Sequence, residues 1–457
     1  MDVNGKRVLV VGLGKSGTAS ALFLASRGAR VTISDAGPQE QFREEIPALL
    51  EHGITVETGK HGARTFQKQD LIVVSPGVPF ELPQLVAARR AGIPVIGEIE
   101  LAAQYLEGEI IAVTGSNGKT TTTALAGEVI ATGGRKALVG GNIGTPAISF
   151  VGHSSPDTCI VLEVSSFQLE TIERFRPRIA AVLNLTPDHL DRHGSMERYI
   201  AAKARIFENQ KADDFAVLNA DDPPTAALAA GVRSAIVWFS RHREVEHGAF
   251  VRDGRIFFRD TSGEREIMPC AEIGLKGAHN LENVLAAVAI VSLAGIRPSK
   301  IRAAIRGFKA VEHRLEFVAT VAGVDYYNDS KATNVDATIK ALEAFPGGIH
   351  LILGGKDKGS DYRVLDTLLR QRVRRVYTIG AAAAKIEGHI GAGPVPLTKS
   401  ETLPRAVRDA ARNAAPGEIV LLAPACASFD QFNNYEERGR VFKQEVHGLA
   451  LAVGGRG

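Results

Sequence analysis

The stretch Ile110-Ile-Ala-Val-Thr-Gly-Ser-Asn-Gly-Lys-Thr-Thr-Thr-Thr-Ala-Leu-Ala-Gly-Glu-Val-Ile130 constrains the fold more than any other. A β-branched apolar run passes through Gly115 and Gly118 into Lys119-Thr120 and an amphipathic helical pattern. Strand, glycine loop and helix in that order make a phosphate-binding loop. Glycines let backbone N–H groups wrap an anion, and the helix that follows turns its positive dipole end toward it. Gly115, Ser116, Asn117 and Gly118 form the cradle and Thr121 sits on the first helical turn. Lys119 supplies a point charge to the β- and γ-phosphates, and the Thr120 hydroxyl is placed for Mg²⁺. The common motif has a further glycine where this chain has Val113, leaving the short form G-x-x-G-K-T. Alone, that form divides evenly between a nucleotide loop and a chance turn. The flanking strand, the helix and the threonine run decide for a nucleotide, read as ATP rather than a dinucleotide.

At 457 residues the chain exceeds one ordinary domain, so two or three domains of about 100–200 residues are expected. Its 45% hydrophobic and 23% charged residues suit a soluble globular protein. A net charge of +3, with no Lys/Arg block interleaved with aromatics, gives no sign of a nucleic-acid partner. No apolar run reaches the roughly 18 residues of a membrane helix, and the N-terminus lacks a signal-peptide core. Cys159, Cys270 and Cys426 are odd in number and far apart, as expected of free thiols in a reducing cytoplasm.

In chain order, the run Arg7 to Val11 leads into Gly12-Leu-Gly-Lys-Ser-Gly17, and a second strand ends at Asp35. This is the G-x-G-x-x-G fingerprint with its distal acid. The motif alone requires only a diphosphate at a helix start, which a nucleotide-sugar satisfies as well as NAD. Ser75 and Gly77 follow the strand Leu71 to Val74, at the strand end where ligands of open α/β sheets bind. A first, Rossmann-like domain therefore covers 1–97.

A central α/β domain is expected over 98–310. Gly140-Gly-Asn-Ile-Gly-Thr-Pro146 carries Asn142 and is divided between a tight turn and a binding loop. Glu163 ends the apolar strand that starts at Cys159, where a second Mg²⁺ ligand is wanted beside a phosphate loop. Asp188, His189, Asp191, Arg192 and His193 crowd six residues after the next strand, favouring a metal or phosphate role. Lys203, among alanines on a helix, reads by itself as a solvated lysine. Asn280 and Asn283 are purine contacts, metal-water contacts or a helix cap.

A last Rossmann-like domain, 311–457, follows from renewed strand–helix alternation. Its strand-end residues Asp329, Lys331, Thr333, Lys358 and Ser428 are expected to converge on one crevice.

Six runs now carry a resemblance: Gly115-Ser-Asn-Gly-Lys-Thr-Thr-Thr, Gly141-Asn-Ile-Gly-Thr-Pro, Glu163-Val-Ser-Ser-Phe-Gln-Leu-Glu, Asn184-Leu-Thr-Pro-Asp-His-Leu-Asp-Arg-His, His313-Arg-Leu-Glu and Asn328-Asp-Ser-Lys-Ala-Thr-Asn. In order across the whole chain, they resemble the Mur ligases. Two of them, Ser-Ser-Phe-Gln-Leu and Asp-Ser-Lys-Ala-Thr-Asn, are similar to the branch that adds D-glutamate. The resemblance implies a cytoplasmic step of peptidoglycan synthesis by a monomer. ATP phosphorylates the carboxylate of UDP-N-acetylmuramoyl-L-alanine, and the amine of D-glutamate attacks the acyl phosphate. It further implies Lys119 and Thr120 at the γ-phosphate and Mg²⁺, with Glu163 on that ion. His189 would hold a second Mg²⁺, bridged by Lys203 as an N-carbamoyl lysine. Asn142 would contact the UDP-sugar near its reacting end, where His189 also lies. Asn280, Arg314 and Asp329 would hold adenine, phosphate and ribose. Lys331, Thr333, Lys358, Ser428 and Phe429 would form the D-glutamate pocket, and Lys15, Ser16, Asp35 and Ser75 would hold UDP.

Three other readings stay open at this point: a sibling amide ligase such as a folylpolyglutamate synthetase, an NAD-dependent dehydrogenase built on Gly12 to Asp35, and a nucleotide-driven binding module. The N-terminal Rossmann unit argues against the folate enzyme.

Overall fold

A computed structural model describes residues 1–142, 144–275, 277–308, 312–391 and 393–454, with side chains through Leu451. The boundary expected between 310 and 311 lies outside the described residues. The chain forms two compact units: Met1–Leu185 with Ser195–Ala271 and Asn283–Arg306, and Thr186–Gly194 with Glu272–Glu282 and Gly307–Gly457.

The first unit holds two sheets. One is five-stranded and parallel, in the order Thr55–Glu57, Arg30–Ser34, Arg7–Val11, Leu71–Val74, Val95–Gly97. Its central strands are short, buried β-branched runs, as sheets covered on both faces require. The other has nine strands. Ala137–Gly141, Cys159–Glu163, Glu109–Thr114, Ile179–Val182, Phe215–Asn219, Ala235–Ser240 and Gly248–Arg252 run parallel in that spatial order. Arg255–Asp260 and Gly263–Pro269 add an antiparallel edge.

The helix Glu98–Ala103 ties the two sheets into one core. Its two acids are buried, yet both accept backbone N–H groups. Glu98 Oε1 takes the Ile148 N–H at 2.7 Å. Glu100 Oε2 takes those of Glu173, Arg174 and Phe175 at 2.9, 2.9 and 2.8 Å. The apolar cluster around them runs from Val3 to Leu218 without a break between the sheets.

The second unit is built on a six-stranded sheet, Glu316–Val321, Val324–Asn328, Ile419–Leu422, Ile349–Gly354, Val373–Ile379, Leu397–Glu401. Only the first pair is antiparallel. The helix Tyr435–Gly454 packs on the edge strand Glu316–Val321. Cys159 and Cys426 are buried and Cys270 half-buried, all as free thiols. No helix among the described residues is long and apolar enough to cross a membrane.

Candidate active site

The phosphate loop leaves the strand Glu109–Thr114 at Gly115 (φ 146°) and enters the helix Lys119–Thr132 at Gly118 (φ 86°). Gly118 is fixed twice. Its backbone is left-handed, and a Cβ there would lie 2.1 Å from Asn283 Oδ1. No side chain caps this helix start, and a helix N-terminus carries the positive end of the dipole that suits an anion. Lys119 Nζ folds back on its own loop, donating to the carbonyls of Gly115 (2.9 Å) and Ser116 (2.8 Å).

Thr120, Glu163 and Asn142 meet as one group. The Thr120 hydroxyl donates to Glu163 Oε2 at 2.7 Å, and Asn142 Nδ2 donates to Glu163 Oε1 at 2.9 Å. Parallel pairing of Glu109–Thr114, Cys159–Glu163 and Ala137–Gly141 brings these strand ends level, with Gly141 opposite Glu163. The Asn142 N–H closes the turn on the Glu163 carbonyl at 2.8 Å. Glu163 is 1% exposed, so it is no surface acid. A buried carboxylate beside a hydroxyl at a phosphate loop is an oxygen set suited to a hard cation.

The residue-level reading of Lys203 as solvated is overturned. It is 2% exposed, and its Nζ donates to the Gly115 carbonyl at 2.8 Å and Thr114 Oγ1 at 3.3 Å. It also lies 4.8 Å over the Tyr199 ring, whose hydroxyl pairs with Ser116 Oγ at 2.9 Å. Helical spacing puts Tyr199 and Lys203 on one face of Met196–Ala204, turned toward the loop.

Sequence reasoning missed Asn184 as a site residue. Its carbonyl accepts the Ser116 N–H at 2.8 Å, and its side chain brackets Asn117. The loop-tip N–H groups of Ser116 and Asn117 are therefore committed to Asn184.

In the five-stranded part, Asp35 orders the fingerprint loop. Its oxygens accept the N–H groups of Leu13 (2.8 Å) and Gly37 (2.7 Å). The Ser75 hydroxyl donates to the Gly12 carbonyl at 3.0 Å. Gly17 is obligatory here, because a Cβ would lie 1.8 Å from that carbonyl oxygen. Lys15 and Gly77 are exposed and Ser16 half-buried. His61, also missed, pairs with Ser34 Oγ at 3.0 Å, and burial lowers its pKa.

The second unit gathers the rest. His189 sits in left-handed backbone (φ 53°) and caps the short helix Leu190–His193. Asp188 is the hub of this cluster. It accepts the His189 N–H (3.0 Å) and Asn334 Nδ2 (3.1 Å), and lies 3.5 Å from Lys358 Nζ. Burial raises the Asp329 carboxyl to about 6 against the charge of Arg314, while Asp329 Oδ1 accepts the Leu315 N–H. His279, next to Asn280, is held down to about 4 by burial and by Lys340 and Arg314. Asn280 belongs to this unit and Asn283 to the first, although both lie on the helix Ala278–Leu293. Lys331 Nζ donates to the Tyr435 hydroxyl at 2.9 Å. The Thr333 N–H bonds the Lys331 carbonyl at 2.8 Å. Ser428 is buried, and Phe429 beside it is 67% exposed.

This architecture, a nucleotide loop in a mixed central sheet between two Rossmann-like sheets in chain order, defines a class. Three family models match in sequence: a Mur ligase MurD-like N-terminal domain over 6–97, a Mur ligase middle domain over 113–291, and a Mur ligase glutamate ligase domain over 313–426. The chain belongs to the Mur ligase family, whose members use ATP with Mg²⁺ to form peptide bonds in peptidoglycan precursor synthesis.

Among its relatives is the UDP-N-acetylmuramoylalanine–D-glutamate ligase of Koribacter versatilis, 66% identical over 98% of this chain and 99% of that one. The protein of the same name from Acidobacterium capsulatum is 60% identical over 98% and 97%. Two solved structures share the fold. The UDP-N-acetylmuramate–alanine ligase of Thermotoga maritima is 21% identical over 97% of this chain and 99% of that one, with TM-score 0.61. A MurF ligase from the same organism, in complex with ADP, is 17% identical over 98% and 96%, with TM-score 0.60.

Proposed function

We propose that this chain joins D-glutamate to UDP-N-acetylmuramoyl-L-alanine with ATP, through an acyl phosphate, as a cytoplasmic monomer with three domains, 1–97, 98–310 and 311–457. The observation that carries the reading is the Thr120–Glu163–Asn142 group beside the phosphate loop, taken with relatives of that activity matching the chain end to end.

A carboxylate is a poor electrophile, and transferring a phosphoryl group to its oxygen creates the leaving group that an amine can displace. The chain's task is to neutralise charge on the moving phosphoryl group and on the tetrahedral oxyanion. Gly115, Ser116, Asn117, Gly118 and Thr121 shape and line the triphosphate site, and Lys119 exchanges its loop carbonyls for the phosphates. Asn280, Asn283, Arg314 and Asp329 hold the rest of ATP. Thr120 and Glu163 would hold one Mg²⁺, and His189 with Lys203 a second. Bound there, the ions neutralise phosphate oxygens.

Lys203 joins the second site as a carbamate. The ammonium gives up a proton to solvent, CO₂ adds to the neutral amine, and loss of a second proton to solvent leaves an anionic carbamate whose oxygens can act as ligands. Lys15, Ser16, Asp35, Ser75 and Gly77 hold the UDP end, and Asn142 and His189 the acyl end. Lys331, Thr333, Lys358, Ser428 and Phe429 receive D-glutamate.

The decisive experiment is incorporation of labelled amino acids into the UDP precursor, run as a panel with ATP. D-glutamate alone should be incorporated, with ADP formed in equal amount. Incorporation of another amino acid, or ATP turnover without product, would overturn the reading.

A further inference from the structure

Arg438 lies on the helix Tyr435–Gly454 and is 1% exposed, which places it among the largest fully buried side chains of the protein. Buried cations are ordinarily paired with carboxylates, because desolvating an unpaired charge is costly. Among the described residues, no carboxylate forms an ion pair with Arg438. Its guanidinium is held by neutral oxygens instead. Nε donates to Ser330 Oγ at 3.0 Å and Nη2 to the Ser330 carbonyl at 2.7 Å. Nη1 donates to the carbonyls of Cys426 (3.1 Å) and Ala427 (3.3 Å). Burial lowers its pKa to about 10, with Cys426 and Asp430 acting in the opposite sense, so it remains a cation at neutral pH.

The positions of these acceptors matter. Ser330 stands between Asp329 and Lys331, and Cys426 and Ala427 immediately precede Ser428 and Phe429. A third loop is bonded to the second. Lys356 and Ala427 exchange backbone hydrogen bonds at 2.8 and 3.1 Å, and the Gly354 N–H bonds the Pro424 carbonyl at 2.9 Å. Gly355 lets the two loops approach, since a Cβ there would lie 2.3 Å from the Ala427 carbonyl oxygen. The three segments given above to the amino-acid site are thus anchored, directly or through one bonded strand pair, on a single cation.

We infer that Arg438 is the positioning residue of the amino-acid site: it registers three loops and sets up a positive field, only partly offset by Asp430, that favours a dicarboxylic amino acid over its neutral isostere. This inference rests on the proposed D-glutamate site. A rigid fork that satisfies four bonds at once explains why arginine rather than lysine occupies the position. D-glutamate carries one more negative charge than D-glutamine at nearly the same shape. A unit charge about 10 Å from an anion, at an effective dielectric of about 20, changes its binding by roughly tenfold or more.

The test separates charge from bonding. Arg438→Lys keeps the charge and loses the fork; Arg438→Gln keeps two donors and loses the charge. With Arg438→Lys, KM for D-glutamate should rise about tenfold, with the D-glutamate to D-glutamine preference in kcat/KM retained. With Arg438→Gln, that preference should also fall about tenfold. In both variants, KM for the UDP precursor should stay within about twofold of wild type. An equal shift in KM for D-glutamate and for the UDP precursor, or an unchanged preference in Arg438→Gln, would overturn the inference. If Arg438→Gln does not fold, Arg438→Lys decides: a KM for D-glutamate within about twofold of wild type sinks it. A wild-type enzyme that does not saturate with D-glutamate overturns the site reading itself, and the inference with it.

Discussion

Asn184 grips Asn117 from both ends of its amide: Oδ1 accepts the Asn117 N–H at 2.8 Å, and Nδ2 donates to the Asn117 carbonyl at 3.1 Å. A side chain here imitates a neighbouring strand and pins the tip of a glycine loop that glycine alone would leave mobile. The backbone of Asn184 continues the pattern through the Ser116 N–H. The loop is therefore shaped before a nucleotide arrives.

Asn184→Ala should raise KM for ATP about tenfold, the worth of two buried hydrogen bonds to one peptide unit. KM for the UDP precursor should hardly move. Asn184→Asp should do worse, because a carboxylate oxygen would face the Asn117 carbonyl and repel the phosphates. Steady-state kinetics with each substrate varied in turn, together with ADP titration calorimetry, would check this. A uniform effect on all substrates would mean that Asn184 serves folding and not the loop.

Lys203 gives a second prediction. Lys203→Ala should lose most activity, and added short carboxylates should restore part of it by replacing the carbamate oxygens. Labelled bicarbonate should give a carbamate signal in the wild type that Lys203→Ala lacks. Full activity in the substituted protein removes the idea.

How much of this was open to a reader of the sequence depends on the range of the physics involved. The strands Arg7–Val11, Leu71–Val74 and Cys159–Glu163 fall where short apolar runs announced them, because a buried parallel strand is written locally. Glu163 was legible for the same reason: an acid at the end of an apolar strand needs a partner.

Lys203 was not legible from its own surroundings. Its helix mixes Glu197, Arg198 and alanines, and only packing decides that the Lys203 face is buried. Asn184 and Arg438 were hidden in the same way. Each acts on segments distant in sequence, 67 residues away for Asn117 and 108 for Ser330, and no local period records such a contact.

Glu98 yields a pH prediction. Burial raises its carboxyl from an ordinary 4.5 to about 7, opposed by the N–H groups of Ile148 and Ala147. A carboxyl with a raised pKa binds its proton more tightly in the folded chain than in the unfolded one. Its contribution is complete below the ordinary value and is lost as pH climbs toward 7. Up to about 3 kcal/mol of stability is at stake across that window. Glu98→Gln keeps an acceptor for the Ile148 N–H and has nothing to ionise. Thermal midpoints at pH 5 and pH 8 should therefore diverge between the two proteins, with the variant ahead at the higher pH. Parallel midpoints would show that Glu98 stays charged in its site.

Tyr435 offers the finest probe of the amino-acid site, since one oxygen atom is in question. Its hydroxyl receives Lys331 Nζ at 2.9 Å, and its ring lies 4.5 Å beneath the same ammonium. The carbonyl of Tyr435 takes the Ser330 hydroxyl at 2.8 Å, so its backbone is fixed independently of the phenol. Tyr435→Phe keeps the ring and its cation–π attraction and deletes only the hydroxyl. If the hydroxyl aims Lys331 at a substrate carboxylate, KM for D-glutamate should rise about three- to tenfold while kcat changes little. Should KM fall instead, the phenol competes with the substrate for the ammonium, and Lys331 is held in reserve until D-glutamate displaces it.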